Sequence, residues 1–382
     1  ENPRLSVMLS LDSFGLDTLK PYLKNNATAS KMGGVVSLDL NYQGDLSRRF
    51  TADGSIDLSR FSYSDPQLWE QALPGGPARI DYKIRLDPER IGVDKLDLRL
   101  GNLLIGLRAG LDKWNSTPVL KDVLLSADLP LADTIPFVPW KLLKDDNAGI
   151  LHATLERGGR INVDKIEIPP LALNQFPDNW EPFVSDIEAV TKLSGISLPP
   201  RANFPGLENL SADLTLTKGV LDASILQAMF GPVTLPKLDA RVADLFTQPK
   251  VTVKAKGSIL FPETEEGAHK PFYDAHGLTR ITGKAAVDLK AAFDQSDPGS
   301  WQVDGFVNLD NIDADFESRG VQLKDLRGKI RIRRQKDLSI KMEGLSGLIN
   351  RSSFHLDATA AGSNASNLGI DANTRVQQLD LS

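Results

Sequence analysis

The side chains able to carry chemistry are scattered along this sequence, and their spacing argues against most reactions. His152, His269, His276 and His355 form no H-x-x-x-H or H-E-x-x-H pair, so a zinc centre is not expected. There is no cysteine, which removes thiolate metal sites, cysteine nucleophiles and disulfides together. Asp310, Asp313, Asp315 and Glu317 invite a calcium loop. A loop starting at Asp313 needs Gly at its sixth position and Glu at its twelfth, where Ser318 and Lys324 stand instead. Gly344-Leu345-Ser346-Gly347 lacks the strand-to-helix context of a nucleophile elbow. Neither a Walker loop nor a G-x-G-x-x-G run occurs. The expectation is a non-enzymatic protein with no metal or cofactor.

One charged constellation remains. Lys329, Arg331 and Arg333, with Arg327 and Arg334 nearby, form a basic ridge. Such a ridge is either a solvated strand face that deters edge-to-edge pairing or an attractor of anionic headgroups or a partner. A net charge of −6 and a pI near 5.4 argue against a nucleic-acid partner. Hydrophobic content of 41% and charged content of 25% describe a chain that folds.

The elements that carry these residues are strands. Trp301, Val303, Val307 and Leu309 alternate with Gln302, Asp304, Asn308 and Asp310, with Phe306 the one exception. Ile330 and Ile332 alternate with the basic ridge, Ile340 and Met342 with Ser339 and Lys341, and Phe354 and Leu356 with His355. Period-2 alternation places apolar side chains on one face of a strand and polar ones on the other. The same pattern covers Val36, Leu38 and Leu40, then Ile80, Tyr82 and Ile84. It continues through Leu96, Leu98, Ile105 and Leu107, then Leu214, Leu216, Val251, Val253, Val287 and Leu289. Turns at Gly or Asp between runs read as antiparallel connections.

Helical signals are sparse: one turn over Leu16–Leu23 limited by Pro21, a short helix over Pro66–Leu73, and a helix over Trp180–Leu193. Leu131–Leu143, with Phe137 and Trp140, reads as an irregular crossover, an interfacial anchor or a flap. Pro262–Arg280 reads as a polar loop, and Leu368–Leu381 as one or two weaker strands. The expected organisation is an N-terminal strand segment 1–130, an irregular and helical insertion with crossover strands 131–205, and a C-terminal strand segment 206–382. The fold class is all-β: a long, mostly antiparallel, curled sheet forming an open hydrophobic groove.

A sheet with one apolar face must cover it with a second sheet, by closure, with helices or with a ligand. Long antiparallel runs flatten, split or curl; curling without closing leaves a gutter lined by the residues named above. A β-sandwich that acts through protein contacts is the alternative. No run reaches the roughly 18–20 apolar residues of a membrane span. The chain starts at Glu1 and is read as a mature or excised segment without its targeting and anchoring parts.

The phrases VQLKDLRGKIRIRRQKDLSIKMEGLSGLINRSSFHLDATAAG (321–362) and RRFTADGSIDLSRFSY (48–63) resemble the AsmA-like family of Gram-negative envelopes. That family includes the TamB and YhdP groups and is similar to bridge-like lipid-transfer proteins with repeating β-grooves. The resemblance is carried by patterning over about 280–382 and 30–130, and is weakest over 130–205. It implies a periplasmic protein, anchored in the inner membrane, that conducts phospholipid towards the outer membrane along a hydrophobic groove. Phospholipid is the implied partner, with outer-membrane proteins a further one.

Overall fold

The computed structural model describes residues 4–19, 31–45, 49–65, 67–69, 73, 78–143, 145–173, 181–200, 206–263, 273, 277–316, 320–363 and 369–377. The protein is all-β: twenty-one strands, antiparallel wherever their pairing is described, and a few short helices. It divides into two compact units, Glu1–Leu193 with Thr215–Lys218, and Ser194–Leu214 with Gly219–Ser382.

In the first unit, β1 (Leu5–Gly15), β2 (Met32–Gly44), β3 (Phe50–Tyr63) and β4 (Ala78–Leu86) pair in chain order. They continue into β5 (Arg90–Leu100), β6 (Leu103–Asp112), β7 (Val119–Pro130) and β8 (Arg160–Ile168). The two-residue β9 (Leu171–Ala172) pairs with β7 beyond β8. β10 (Glu188–Leu198) and β11 (Leu207–Thr217) contribute residues to both units. The second unit holds β12 (Val220–Phe230), β13 (Val233–Thr234), β14 (Lys237–Ala243), β15 (Lys250–Phe261) and β16 (Arg280–Asp294). β17 (Asp297–Phe316), β18 (Val321–Arg334), β19 (Leu338–Ile349), β20 (Ser352–Gly362) and β21 (Gly369–Gln377) complete the meander.

Between β7 and β8 lie α1 (Leu131–Thr134), two single 3-10 turns and α2 (Asp145–Glu156). Leu131 and Leu155 are buried there, and the Trp140 ring lies 5.0 Å from His152. The helix α2 has no counterpart in the sequence expectations.

Two helical expectations are corrected. Around Trp180–Leu193 only α3 (Glu181–Ser185) is helical, and Glu188 begins β10; Trp180 lies outside the described residues. β-branched Val190, Thr191 and Ile196 favour the strand. Residues 67–69 form one turn closed by Leu68 and Trp69 amides on the Asp65 carbonyl, and Leu73 bridges back to Tyr63. Pro66 lies outside the described residues. The expected turn at Leu16 is a 3-10 turn over Leu16–Leu19.

Bulges set which residues face which side. Ser13, Asp122, Asn311, Asp325 and Gly344 all have φ between 52° and 59°, the left-handed conformation of an extra residue in a strand. Each lies between apolar residues three apart: Leu11/Phe14, Leu120/Val123, Leu309/Ile312, Leu323/Leu326 and Met342/Leu345. The pairing register shifts at each of these places. The bulge returns the second apolar residue to the face of the first, which strict alternation denies.

Few side chains are buried. A compact corner of the second unit joins Val233 and Tyr273 to Phe230, Leu235, Ile259, Phe261, Leu278 and Ile281. Tyr273 reaches it from the segment expected to be a polar loop.

Candidate functional site

Opposed residues of an antiparallel pair point to the same face, so the register tells which side chains meet. In the first unit one row runs through Leu9, Leu40, Gly54, Tyr82, Leu96, Leu107, Leu125 and Ile166. The next runs through Leu11, Leu38, Ile56, Ile80, Leu98, Ile105, Ala127 and Val163. Ile84 stands between Ala52 and Val93, and Val36 opposite Phe14. All ten residues expected on this part of the lining, from Val36 to Leu107, therefore share one face. At Gly54 a side chain would collide with the Asp39 carbonyl. The Tyr82 ring occupies that gap, and its hydroxyl donates to the Asp39 carbonyl at 3.2 Å. Burial, with the charges of Asp53 and Asp39 adding to it, pushes the Tyr82 phenol above its ordinary pKa.

In the second unit one row runs through Leu238, Ala255, Leu289, Gly305, Ile332, Ile340, Ala360 and Ile370. Its neighbour runs through Gly257, Val287, Val307, Ile330, Met342, Ala358 and Ala372. Val251, Val253 and Val303 share this face through Phe293 and Ala291, and Leu356 and Phe354 through Leu345 and Gly347. Leu214 and Leu216 alternate in β11 with exposed Asp213, Thr215 and Thr217.

Within these rows burial follows lateral position. Ile370 on β21 is 74% exposed and Leu9 on β1 is 42% exposed. Interior members such as Ile80, Leu98, Ile330 and Ile332 are half-buried, while Val287 and Phe354 are buried. Lateral neighbours account for this gradation. Among the described strands of each unit, the extensive close approaches are those between hydrogen-bonded partners.

The opposite face is charged and internally paired. Arg160 donates to both Asp128 carboxylate oxygens through Nε and Nη2, and Lys192 lies 2.8 Å from Asp164. On the basic ridge, Arg331 and Lys341 each lie 3.0 Å from Glu343 and hold its carboxyl below the usual range. Arg327 donates to the Asn311 side chain at 2.5 Å, and Arg333 stands opposite Asp304. The Lys329 ammonium lies 4.1 Å from the Phe306 ring centre, which accounts for the one apolar exception in β17. Asp310, Asp313 and Asp315 also face this side, and Asp313 accepts the Asp325 amide at the bulge. Glu317, His269 and His276 lie outside the described residues. Shallow clefts of about 370 and 470 Å³ on this face are lined by mixed charges around Gly106 and Gly305.

Arg334 is the correction to the ridge. Ile332 faces the apolar side and Arg333 the polar side, so Arg334 turns back to the apolar one, opposite Val303 and Leu338. Its guanidinium carbon lies 3.7 Å from the centre of the Trp301 ring.

Sequence reasoning left out the apolar residues of β1 and β8, although Leu5, Val7, Leu9 and Leu11 alternate plainly. It also left out Ile312, Leu326 and Leu345. Their signal is an apolar pair three apart around Asp, Asn or Gly.

No family model, curated protein or solved structure matches the chain.

Proposed function

We propose that the chain is a lipid-transfer segment that shelters phospholipid acyl chains on the apolar face of each unit. The observation that carries this reading is the set of apolar rows crossing up to eight strands, whose interior members stay half-buried among the described residues of each unit. A sandwich scaffold would give such rows dry burial, whereas Ile332, Ile80 and Val303 are half-buried.

The energetics favour a tail as the missing cover. Each methylene removed from water contributes about 0.8 kcal/mol, so sheltering a chain of a dozen or more carbons contributes on the order of 10 kcal/mol. Lateral rows of Leu, Ile, Val and Ala offer a uniform surface. No position binds much more tightly than the next, so a tail slides without chemical energy. The charged face keeps its own ion pairs and stays in water.

The resemblance to AsmA-like proteins adds the setting. In this proposal the segment works in the periplasm, anchored to the inner membrane by parts outside this sequence, and hands phospholipid towards the outer membrane, with outer-membrane proteins as further partners. Mass spectrometry of organic extracts from the purified chain tests the reading. Glycerophospholipid at about one or more molecules per chain is expected; a lipid-free chain that also takes up none from vesicles contradicts it.

A further inference from the structure

Among the described strand pairs of the second unit, Arg334 is the only charged side chain on the apolar face. An ionised group on such a face is costly unless something satisfies it. Among the described residues no carboxylate lies within ion-pair distance of it. Its Nε is buried without a hydrogen-bond partner. Trp301, 37% exposed, backs the guanidinium plane, an arrangement that orients the fork while leaving its donors to be used by something else.

The position matters as much as the charge. Arg334 ends β18, and Trp301 lies near the start of β17, so the pair sits where the apolar face meets the strand ends. Inward along β18 follow Ile332 and Ile330 on the same face. From Arg334 to Ile330 is about 13 Å at the usual rise per residue, close to the roughly 15 Å that the tails of one bilayer leaflet occupy.

We propose that Arg334, held against Trp301, binds the phosphate diester of a glycerophospholipid whose tails lie on the Ile332 and Ile330 rows; this rests on the tail-binding reading above. A guanidinium fork matches two phosphate oxygens in bidentate geometry. The bound phosphate accepts from the terminal nitrogens of the fork, the buried Nε being closed to a ligand. The ridge cations Lys329, Arg331 and Arg333 stand on the other face of β18, so they do not compete for it.

Calorimetric titration of the full 382-residue chain tests the site with three probes. These are dihexanoyl phosphatidylglycerol below its aggregation concentration, dihexanoylglycerol with the same tails and no phosphate, and inorganic phosphate. Arg334→Gln is expected to weaken phosphatidylglycerol binding roughly tenfold while leaving dihexanoylglycerol unchanged. Trp301→Leu, which keeps the charge and removes its backing, is expected to weaken phosphatidylglycerol by a smaller factor. Arg333→Gln, the same loss of charge one residue away on the other face, is expected to change neither. Unaltered phosphatidylglycerol affinity in Arg334→Gln overturns the headgroup site and leaves the tail-binding reading standing. Inorganic phosphate bound as tightly as the lipid overturns the lipid assignment. Failure of the native chain to bind either lipid overturns the tail-binding reading itself.

Discussion

The two units build their apolar faces by one register rule from different side chains. In the first, the rows are filled with Leu, Ile and Tyr82, and the one glycine, Gly54, is overlaid by the Tyr82 ring. In the second, Ala240, Ala255, Ala291, Ala358, Ala360 and Gly305 take many of the same kinds of position. That floor is lower and bears one cation, Arg334, at its rim. Large side chains make a level bed for a tail. Small ones leave depth, and in the proposal above Arg334 gives that depth an end that recognises a headgroup. The second unit also has the corner at Val233 and Tyr273, where protein covers the face that lipid is proposed to cover elsewhere.

The contrast between covered corner and open rows sets the largest expected effect. Val233→Asp puts an unpaired charge into dry packing and is expected to cost about 3–5 kcal/mol. Ile332→Asp, half-buried on an open face where water reaches the carboxylate, is expected to cost less than about 2 kcal/mol. Urea denaturation of both variants reads the difference; equal losses would mean that the rows are covered after all.

Function should reverse that ranking. Ile80→Asp and Ile332→Asp are each expected to cut uptake of a fluorescent phospholipid by about tenfold, since a carboxylate among acyl chains is poorly solvated. A fall confined to one of them would show that only one unit carries lipid. Unchanged uptake in both would break the shared-face account.

A smaller effect lies in the polar anchoring of the first unit. The Lys31 ammonium donates to the Asp65 carboxylate at 2.5 Å, which holds Asp65 below the usual carboxylate range and Lys31 above its ordinary value. The folded Asp65 binds its proton less readily than the unfolded chain does. Its stabilisation is therefore complete above about pH 4 and is lost as pH falls through the lower folded value. The raised Lys31 contributes fully below about pH 10.4 and loses its contribution above it. The Tm gap between the native chain and Asp65→Asn should be widest between these limits and close at both ends. A gap independent of pH would mean that the ion pair contributes nothing.

The smallest effect is expected on the basic ridge. Replacing Arg331 and Arg333 together with Ser should change stability by less than about 1 kcal/mol, because both are solvated and their pairs are exposed. Marked unfolding on the same urea assay would place the ridge against a covering layer.

The fold class was legible because alternation survives wherever a strand runs without interruption, as from Ala78 to Leu86. That the apolar residues named in each meander share one face is legible for the same reason. Bulges were not legible by that rule, since Asn311 or Asp325 inserts one residue and shifts the phase, so that Ile312 and Leu326 looked misplaced. The apolar spacing of three that a bulge creates also resembles a helical period. Leu193 and Ile196 stand so around Gly195, whose φ is 62°, close to the segment expected to be helical. Proximity in sequence groups Arg334 with the ridge, and only the register with Ile332 turns it to the other face.

The central claim is that one face meets lipid and the other does not. A photoactivatable residue at Ile80 or Ile84, compared with one at Asp81 or Lys83 on the same strand, measures this directly in cells or with vesicles. Lipid adducts at the first pair, at least about tenfold above the second, are the predicted result. Equal labelling at all four positions would contradict the assignment of β4 and the account built on it.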